Sequence, residues 1–247
     1  MQAIIFSAGL GTRLRPITDS LPKALVPLNG ITLLEFQIRM LRNAGIRDIA
    51  VNVHHFPDLI IDFLRTHDNF GCSIRISDER DELLDTGGGL LHAFLQPDGS
   101  LPSEPVLACN VDILSNIDLP AFLTSLRSDE LGRLVVSDRP TQRYLCFNED
   151  NRLVGWKNIQ TGELRLADGH HLAFSGMSLL QPETFSLLKQ YAADHGPRFS
   201  MIDFFLSVAP MHTLRAYVPA DYRMMDVGKF NLLSEAEAFA QDLVPGD

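Results

Sequence analysis

Apolar residues in this chain come in short runs divided by glycine, proline and polar stretches, and their period switches repeatedly between strand and helix. Ala3–Ser7 is a short apolar run that stops at a Gly-rich, Pro-punctuated stretch, which predicts a buried strand feeding a long loop. From Leu33 to Ala44 the residues Leu33, Leu34, Ile38 and Leu41 recur at helical spacing, and Gly45 supplies a stop. Asp48–Val53 reads as the next strand, and Pro57 opens a helix bearing Leu59, Ile60, Phe63 and Leu64. Ser73–Ser77 and Val106–Cys109 read as further strands, with a helix predicted from Gly88 to Phe94 between them. Asp118 is placed to cap a helix running through Leu126, with Pro120 near its first turn.

Strands and helices alternating over short connections imply βαβ units and a mainly parallel sheet. Beyond residue 130 the pattern loosens. Leu134–Ser137, Tyr144–Phe147, Leu153–Trp156 and Leu172–Leu180 look like strands, several joined only by turns. Helices are predicted at Pro182–Tyr191, around Ile202–Ala209 and from Phe230 to Asp242. No repeat or linker interrupts the 247 residues, so one domain is expected over 1–247, with a nucleotide-binding half to about 130 and a more antiparallel half after it.

Composition narrows the function. The chain is 45% hydrophobic and 21% charged, as ordinary globular proteins are, which argues against disorder and fibrous repeats. Its net charge of −10 argues against general binding to nucleic acid or anionic membranes, where basic patches supply the affinity. Three cysteines without CxxC spacing read as free thiols in a reducing cytoplasm, Cys109 and Cys146 as small buried hydrophobes. The apolar run at Ala3–Phe6 is too short for a signal segment, and nothing approaches the ~18 apolar residues of a membrane span.

In an open parallel sheet, ligands bind beyond the carboxyl ends of the strands, near the first βα loop. That loop is Ser7-Ala8-Gly9-Leu10-Gly11-Thr12-Arg13-Leu14-Arg15-Pro16. Two glycines let backbone approach a phosphate and turn its N–H groups inward. Through Leu34 the charged residues are Arg13, Arg15, Asp19 and Lys23, a local +2 on a −10 chain. Alone, Gly-x-Gly-Thr-Arg fits a turn with two solvated arginines as well as an anion cradle. It lacks the third glycine of a dinucleotide fingerprint and the Gly-Lys-Ser/Thr of a Walker loop.

The longer string, Ala8 to Thr18 followed by Leu21-Pro22-Lys23-Ala24-Leu25-Val26-Pro27, closely resembles the signature of the sugar-1-phosphate nucleotidylyltransferases. Asp85-Thr86-Gly87-Gly88-Gly89 resembles the family's turn beside the nucleotide base, and Asn110-Val111-Asp112 its metal-binding aspartate after a strand. Phe174-Ser175-Gly176 resembles the sugar-pocket strand, and Asp226-Val227-Gly228 the second metal motif. Size and the DTGGG segment look most like the N-acetylmuramate-1-phosphate uridylyltransferase subgroup. The resemblance implies a Rossmann-like, GT-A-like three-layer α/β sandwich with a mainly parallel mixed sheet. It also implies a cytoplasmic enzyme, monomeric or a small homo-oligomer, acting on a nucleoside triphosphate and a sugar-1-phosphate with Mg²⁺.

Under that resemblance Ala8, Gly9, Gly11, Thr12, Arg13, Lys23, Gly87 and Gly88 bind nucleotide, with Arg13, Lys23 and Asp112 catalytic. Asp112 and Asp226 are strand-end carboxylates suited to Mg²⁺, while a lone aspartate there is also a common cap or turn residue. Asn110, Lys157, Ser175 and Gly176 are expected at the sugar, although Lys157 reads equally as an ordinary strand end. His54 and His55 either face the nucleotide or serve structure. His170-His171 has no third ligand at zinc spacing and reads as loop, and Trp156 as a packing residue.

Two departures from the family pattern stand out. Val111 replaces a common glycine and is expected to narrow the sugar pocket, and Lys229 stands where threonine is common. With 247 residues, the β-helical acyltransferase domain of bifunctional relatives is not expected. Competing readings are a cytidylyltransferase for a phosphorylated alcohol such as phosphocholine, and a non-catalytic regulatory subunit that binds nucleotide-sugar. Retaining both carboxylates argues against the binder.

Overall fold

The computed structural model describes residues 1–228 and 230–243, so Lys229 lies outside the described residues. Contacts divide the chain into two compact units. The first comprises Met1–Leu83, Ala108–Asn116 and Arg223–Asp247, and the second Leu84–Leu107 and Ile117–Tyr222. These are not the consecutive halves expected from the loosening pattern near residue 130. The C-terminal segment returns to pair with the mid-chain residues Ile113–Ser115, a contact that periodicity does not encode.

The chain begins with β1 (Gln2–Phe6), whose Ala3, Ile4 and Ile5 are fully buried. Three 3-10 turns follow at Thr12–Leu14, Ile17–Asp19 and Lys23–Leu25. Next come the short antiparallel pair β2 (Pro27–Leu28) and β3 (Ile31–Thr32), and then α1 (Leu33–Asn43). The Thr32 side chain caps α1 by accepting from the Glu35 N–H, and Gly45 ends it at φ +84°. β4 (Asp48–Val53), α2 (Pro57–Thr66) and β5 (Ser73–Asp78) then complete the βαβ pattern. β4 runs parallel to both β1 and β5, with Asn52 opposite Phe6 on one side and Ser77 on the other.

α3 (Asp85–Phe94) opens the second unit, and the chain changes unit within β6 (Val106–Asn110). β7 (Ile113–Ser115) belongs to the first unit. The second unit then holds α4 (Leu119–Ser125), β8 (Gly132–Ser137), β9 (Arg143–Phe147), β10 (Leu153–Asn158), β11 (Leu164–Leu166) and β12 (His170–Leu180). It finishes with α5 (Glu183–His195), α6 (Met201–Val208) and β13 (Leu214–Tyr217). β14 (Met224–Asp226) pairs antiparallel with β7 in the first unit, and α7 (Leu233–Gln241) follows.

The α/β class and the mixed sheet are as expected, and the character of the pairing changes between units. β1, β4 and β5 are parallel, whereas β9, β10, β11 and β12 pair antiparallel with their neighbours. β12 also pairs antiparallel with β8, which is parallel to β13. Six phenylalanines (Phe94, Phe122, Phe147, Phe185, Phe204 and Phe205) are fully buried in the second unit. Cys72, Cys109 and Cys146 are free and buried, and burial pushes the Cys109 thiol up to about 12. No described helix is long and apolar enough to cross a membrane.

Candidate active site

The loop after β1 is folded by its own residues. Gly11 sits at φ +62°, and a Cβ there would lie 2.9 Å from the Thr18 methyl, so both the conformation and the packing require glycine. Thr18 is buried and its hydroxyl donates to the Gly11 carbonyl at 2.8 Å. That carbonyl also accepts from the Leu14 N–H. Meanwhile the N–H groups of Gly9, Leu10, Gly11, Thr12 and Arg13 donate to no group among the described residues. Successive unpartnered amides in a glycine turn make an anion-binding concavity.

The mouth of this loop is held by β4. The buried Asn52 side chain accepts from the N–H groups of Ser7 (2.7 Å) and Ala8 (3.3 Å), and it donates to Glu79 Oε1 at 2.8 Å. His54 meets the Glu79 carbonyl at 2.7 Å and His55 the Thr18 carbonyl at 3.3 Å, so both histidines hold loops in place. Nothing in the sequence singled out Asn52 or Glu79. The one available signal was a polar residue inside the apolar run Ile49–Val53.

Asp112 follows β6, and its carboxylate accepts from the Lys23 ammonium. Lys23 is 8% exposed, an unusual depth for a lysine unless it is paired. Asp226 lies opposite Ile113 in the β7–β14 ladder, and the Asp112 carbonyl accepts from the Val227 N–H at 2.8 Å. The segments bearing the two aspartates are thus neighbours. A separate two-stranded antiparallel ladder joins them, not the edge of the parallel strands. Gly228 packs against both the Asp226 carboxylate and the Arg13 guanidinium, whose Nη2 lies 2.8 Å from where a Cβ would stand. Arg13, Lys23, Asp112 and Asp226 are therefore linked within the first unit, Lys23 to Asp112 directly, Asp112 to Asp226 through their backbone and Arg13 to Asp226 across Gly228.

Asn110 is half-buried at the end of β6, and Val111 is 4% exposed with its N–H bonded to the Phe6 carbonyl. Val111 thus packs in the core of this unit in addition to any effect on a pocket.

Gly87 and Gly88 form the first turn of α3 and not a free turn. Both are buried, both donate their N–H groups to the Phe199 carbonyl, and a Cβ on either would strike the segment Pro197–Phe199. Their missing side chains admit close helix packing, so their amides are not open for reading a base. Lys157, on β10, donates to Asp168 at 2.6 Å. Ser175 is fully buried on a bulge of β12, its hydroxyl without a partner among the described residues, and Gly176 beside it sits at φ +69°. Trp156 lies under the Arg165 guanidinium, 5.9 Å from it, consistent with packing. His171, expected to be plain loop, stands 2.6 Å from the Asp168 carboxylate.

Residues 2–144 match the nucleotidyl transferase family, and the chain belongs to it. Among curated relatives, it is 42% identical over 112 residues to the N-acetylmuramate alpha-1-phosphate uridylyltransferase of Caulobacter vibrioides. That match covers 44% of this chain and 45% of the relative, so it spans less than half of that relative's length. The enzyme of the same name from Neisseria meningitidis is 30% identical over 188 residues, covering 75% of this chain and 77% of the relative. UDP-glucose pyrophosphorylase in complex with UDP-glucose superposes over 98% of both chains with a TM-score of 0.77 at 16% identity. HddC of Yersinia pseudotuberculosis with GMP-PN gives 0.72 at 20% identity over 96% of this chain and 98% of its own. Identities this low speak for the fold alone.

Proposed function

We propose that the chain joins a nucleoside triphosphate to a sugar-1-phosphate, forming a nucleotide-sugar and pyrophosphate. The observation that carries this is the run of unpartnered amides from Gly9 to Arg13 in a loop whose positive charge reverses that of the whole molecule. A phosphate oxygen of the acceptor attacks the α-phosphorus, the α–β bridging P–O bond breaks, and pyrophosphate leaves with the electron pair. Such transfers ask a protein mainly for in-line positioning and charge neutralisation. The loop amides and Arg13 hold the β- and γ-phosphates, where charge builds on the leaving group. Lys23, already paired with Asp112, supplies a further cation to the phosphates.

Asp112 and Asp226 carry hard oxygen donors on neighbouring segments, and that donor type fits Mg²⁺, which takes one or two carboxylates plus substrate phosphates. When bound, the ion supplies further neutralisation of phosphate charge. In the second unit, Ser175 and Gly176 are the proposed sugar contacts, on the unpaired buried hydroxyl and the bulge. The names of two relatives support UTP and N-acetylmuramate α-1-phosphate as the substrate pair. Three buried free thiols fit a cytoplasmic setting.

Pyrophosphate release, measured for UTP, GTP, CTP and dTTP against a panel of sugar-1-phosphates and phosphocholine with and without Mg²⁺, tests this. Turnover is expected to be highest for UTP with N-acetylmuramate α-1-phosphate and to need the metal. Release only with CTP and phosphocholine would replace the substrate class, and no release from any pair would leave a binding protein.

A further inference from the structure

The second unit carries a group of potential ligands that the phosphate chemistry does not use. Cys146 on β9 and His171 on β12 are direct partners across an antiparallel ladder, so their side chains share one face. Asp168 lies in the turn between β11 and β12, three residues before His171. The Cys146 sulfur, an Asp168 carboxylate oxygen and a His171 ring nitrogen all lie within 4.8 Å of one another. Individually, Asp168 Oδ1 is 2.6 Å from His171 Nε2 and 3.8 Å from Cys146 Sγ.

Backbone packing builds this arrangement. Gly155 of β10 faces Cys146 in register, and a Cβ there would collide with the Ala167 carbonyl. A Cβ on Gly169 would collide with the Phe147 carbonyl. Two missing side chains thus let the turn bearing Asp168 lie directly on β9 and β10. The carboxylate is also oriented from behind. Lys157 donates to its other oxygen, Oδ2, at 2.6 Å, and the Gly169 N–H donates to Oδ1 at 2.9 Å.

We propose that Cys146, Asp168 and His171 form a binding site for a thiophilic divalent cation, zinc in the first instance, with Lys157 fixing the carboxylate from outside. A sulfur, an imidazole nitrogen and a carboxylate oxygen make a three-ligand set that zinc accepts, with water in the fourth tetrahedral position. Sulfur disfavours Mg²⁺, which separates this site from the carboxylate pair of the first unit. Binding replaces the hydrogen bond between His171 and Asp168 Oδ1. The Cys146 thiol releases its proton to solvent as the sulfur–metal bond forms, and no oxidation state changes. The remaining Asp168 oxygen keeps Lys157, the kind of outer hydrogen bond that ligating carboxylates usually carry. Cys146 is fully buried while Asp168 is exposed, so an ion enters from the Asp168 side and pins the β11–β12 turn onto β9.

The test uses the full chain, stripped with chelator and titrated with Zn²⁺ against a chromophoric competitor, and then with Co²⁺. The expected result is one thiolate-ligated ion per chain, seen as a sulfur-to-cobalt charge-transfer band. Cys146→Ser should abolish that band, and His171→Ala should weaken binding at least tenfold. A wild-type chain with no charge-transfer band overturns the site, as does a band that survives in Cys146→Ser, since another cysteine would then be the ligand. If Cys146→Ser does not fold, cadmium NMR of the wild type decides: a sulfur-ligated resonance that is lost in His171→Ala supports the site, and an oxygen-only shift rejects it.

Discussion

Arg13 is exposed, and the phosphate reading makes it a donor to charge that develops on the leaving pyrophosphate. Arg13→Ala is therefore expected to lower kcat by roughly 10²–10³, the usual cost of one preorganised donor to developing charge. Steady-state rates at saturating substrate check this, and near-normal turnover would return Arg13 to the status of a surface turn residue. Asp112→Asn and Asp226→Asn keep shape and remove charge. Each should leave folding intact, reduce turnover and raise the Mg²⁺ concentration needed for half-maximal rate. Asp112 has a further role, because it is also the partner of the buried Lys23. Its variant should therefore disturb the nucleotide KM more than that of Asp226 does, and equal effects would argue against the Lys23 pairing as a functional contact.

The joint between β4 and the first loop rests on one amide side chain. Asn52 satisfies two loop N–H groups and one buried carboxylate, Glu79, which is 2% exposed. Leaving such groups unpaired costs about 1–3 kcal/mol apiece. Asn52→Leu should lower stability in urea by about 3 kcal/mol or more on that scale and raise the nucleotide KM, because the amides of the loop lose their anchor. A variant with wild-type stability and a raised KM would instead assign Asn52 to the ligand. On α3, Gly88→Ala drives a methyl into the Pro197 carbonyl, so the helix must shift outward. Loss of stability is the expected outcome in thermal melts, with no change in which base is preferred. A change of base preference at unaltered stability would restore the reading of these glycines as base contacts.

At the scale of the whole molecule, the second unit is tied together by a buried cluster. Glu130, 3% exposed, accepts from Arg133 at 2.7 and 3.0 Å and lies 2.9 Å from Arg215. Arg133 and Arg215 are also opposed in the β8–β13 pair, so one carboxylate neutralises two strands. Removing one partner of a buried ion pair typically costs about 3–5 kcal/mol. Glu130→Ala should thus unfold the second unit at markedly lower urea, and a midpoint near wild type would show that water replaces the carboxylate.

The sequence by itself determined what depends on neighbours within a few residues. Helical spacing and its stop and start signals located α1, α2 and α4, with Gly45 at the end of the first and Asp118 at the start of the last, and apolar runs located β1, β4 and β5. The loop after β1, proposed to hold phosphate, was legible because one contiguous string carries its glycines and its positive charge. The very short strand β7 escaped, since three residues hold too little periodicity to read, whereas the end of β14 was marked by Asp226 after two methionines. Tertiary structure alone decided which distant residues meet. Strand register brings Asp226 to Asp112 and Cys146 to His171, and close packing turns Gly87 and Gly88 from bare backbone into a helix contact. The physical reason is that side-chain period records which face of an element is buried, whereas convergence depends on strand order and register, set by contacts between segments far apart in the chain.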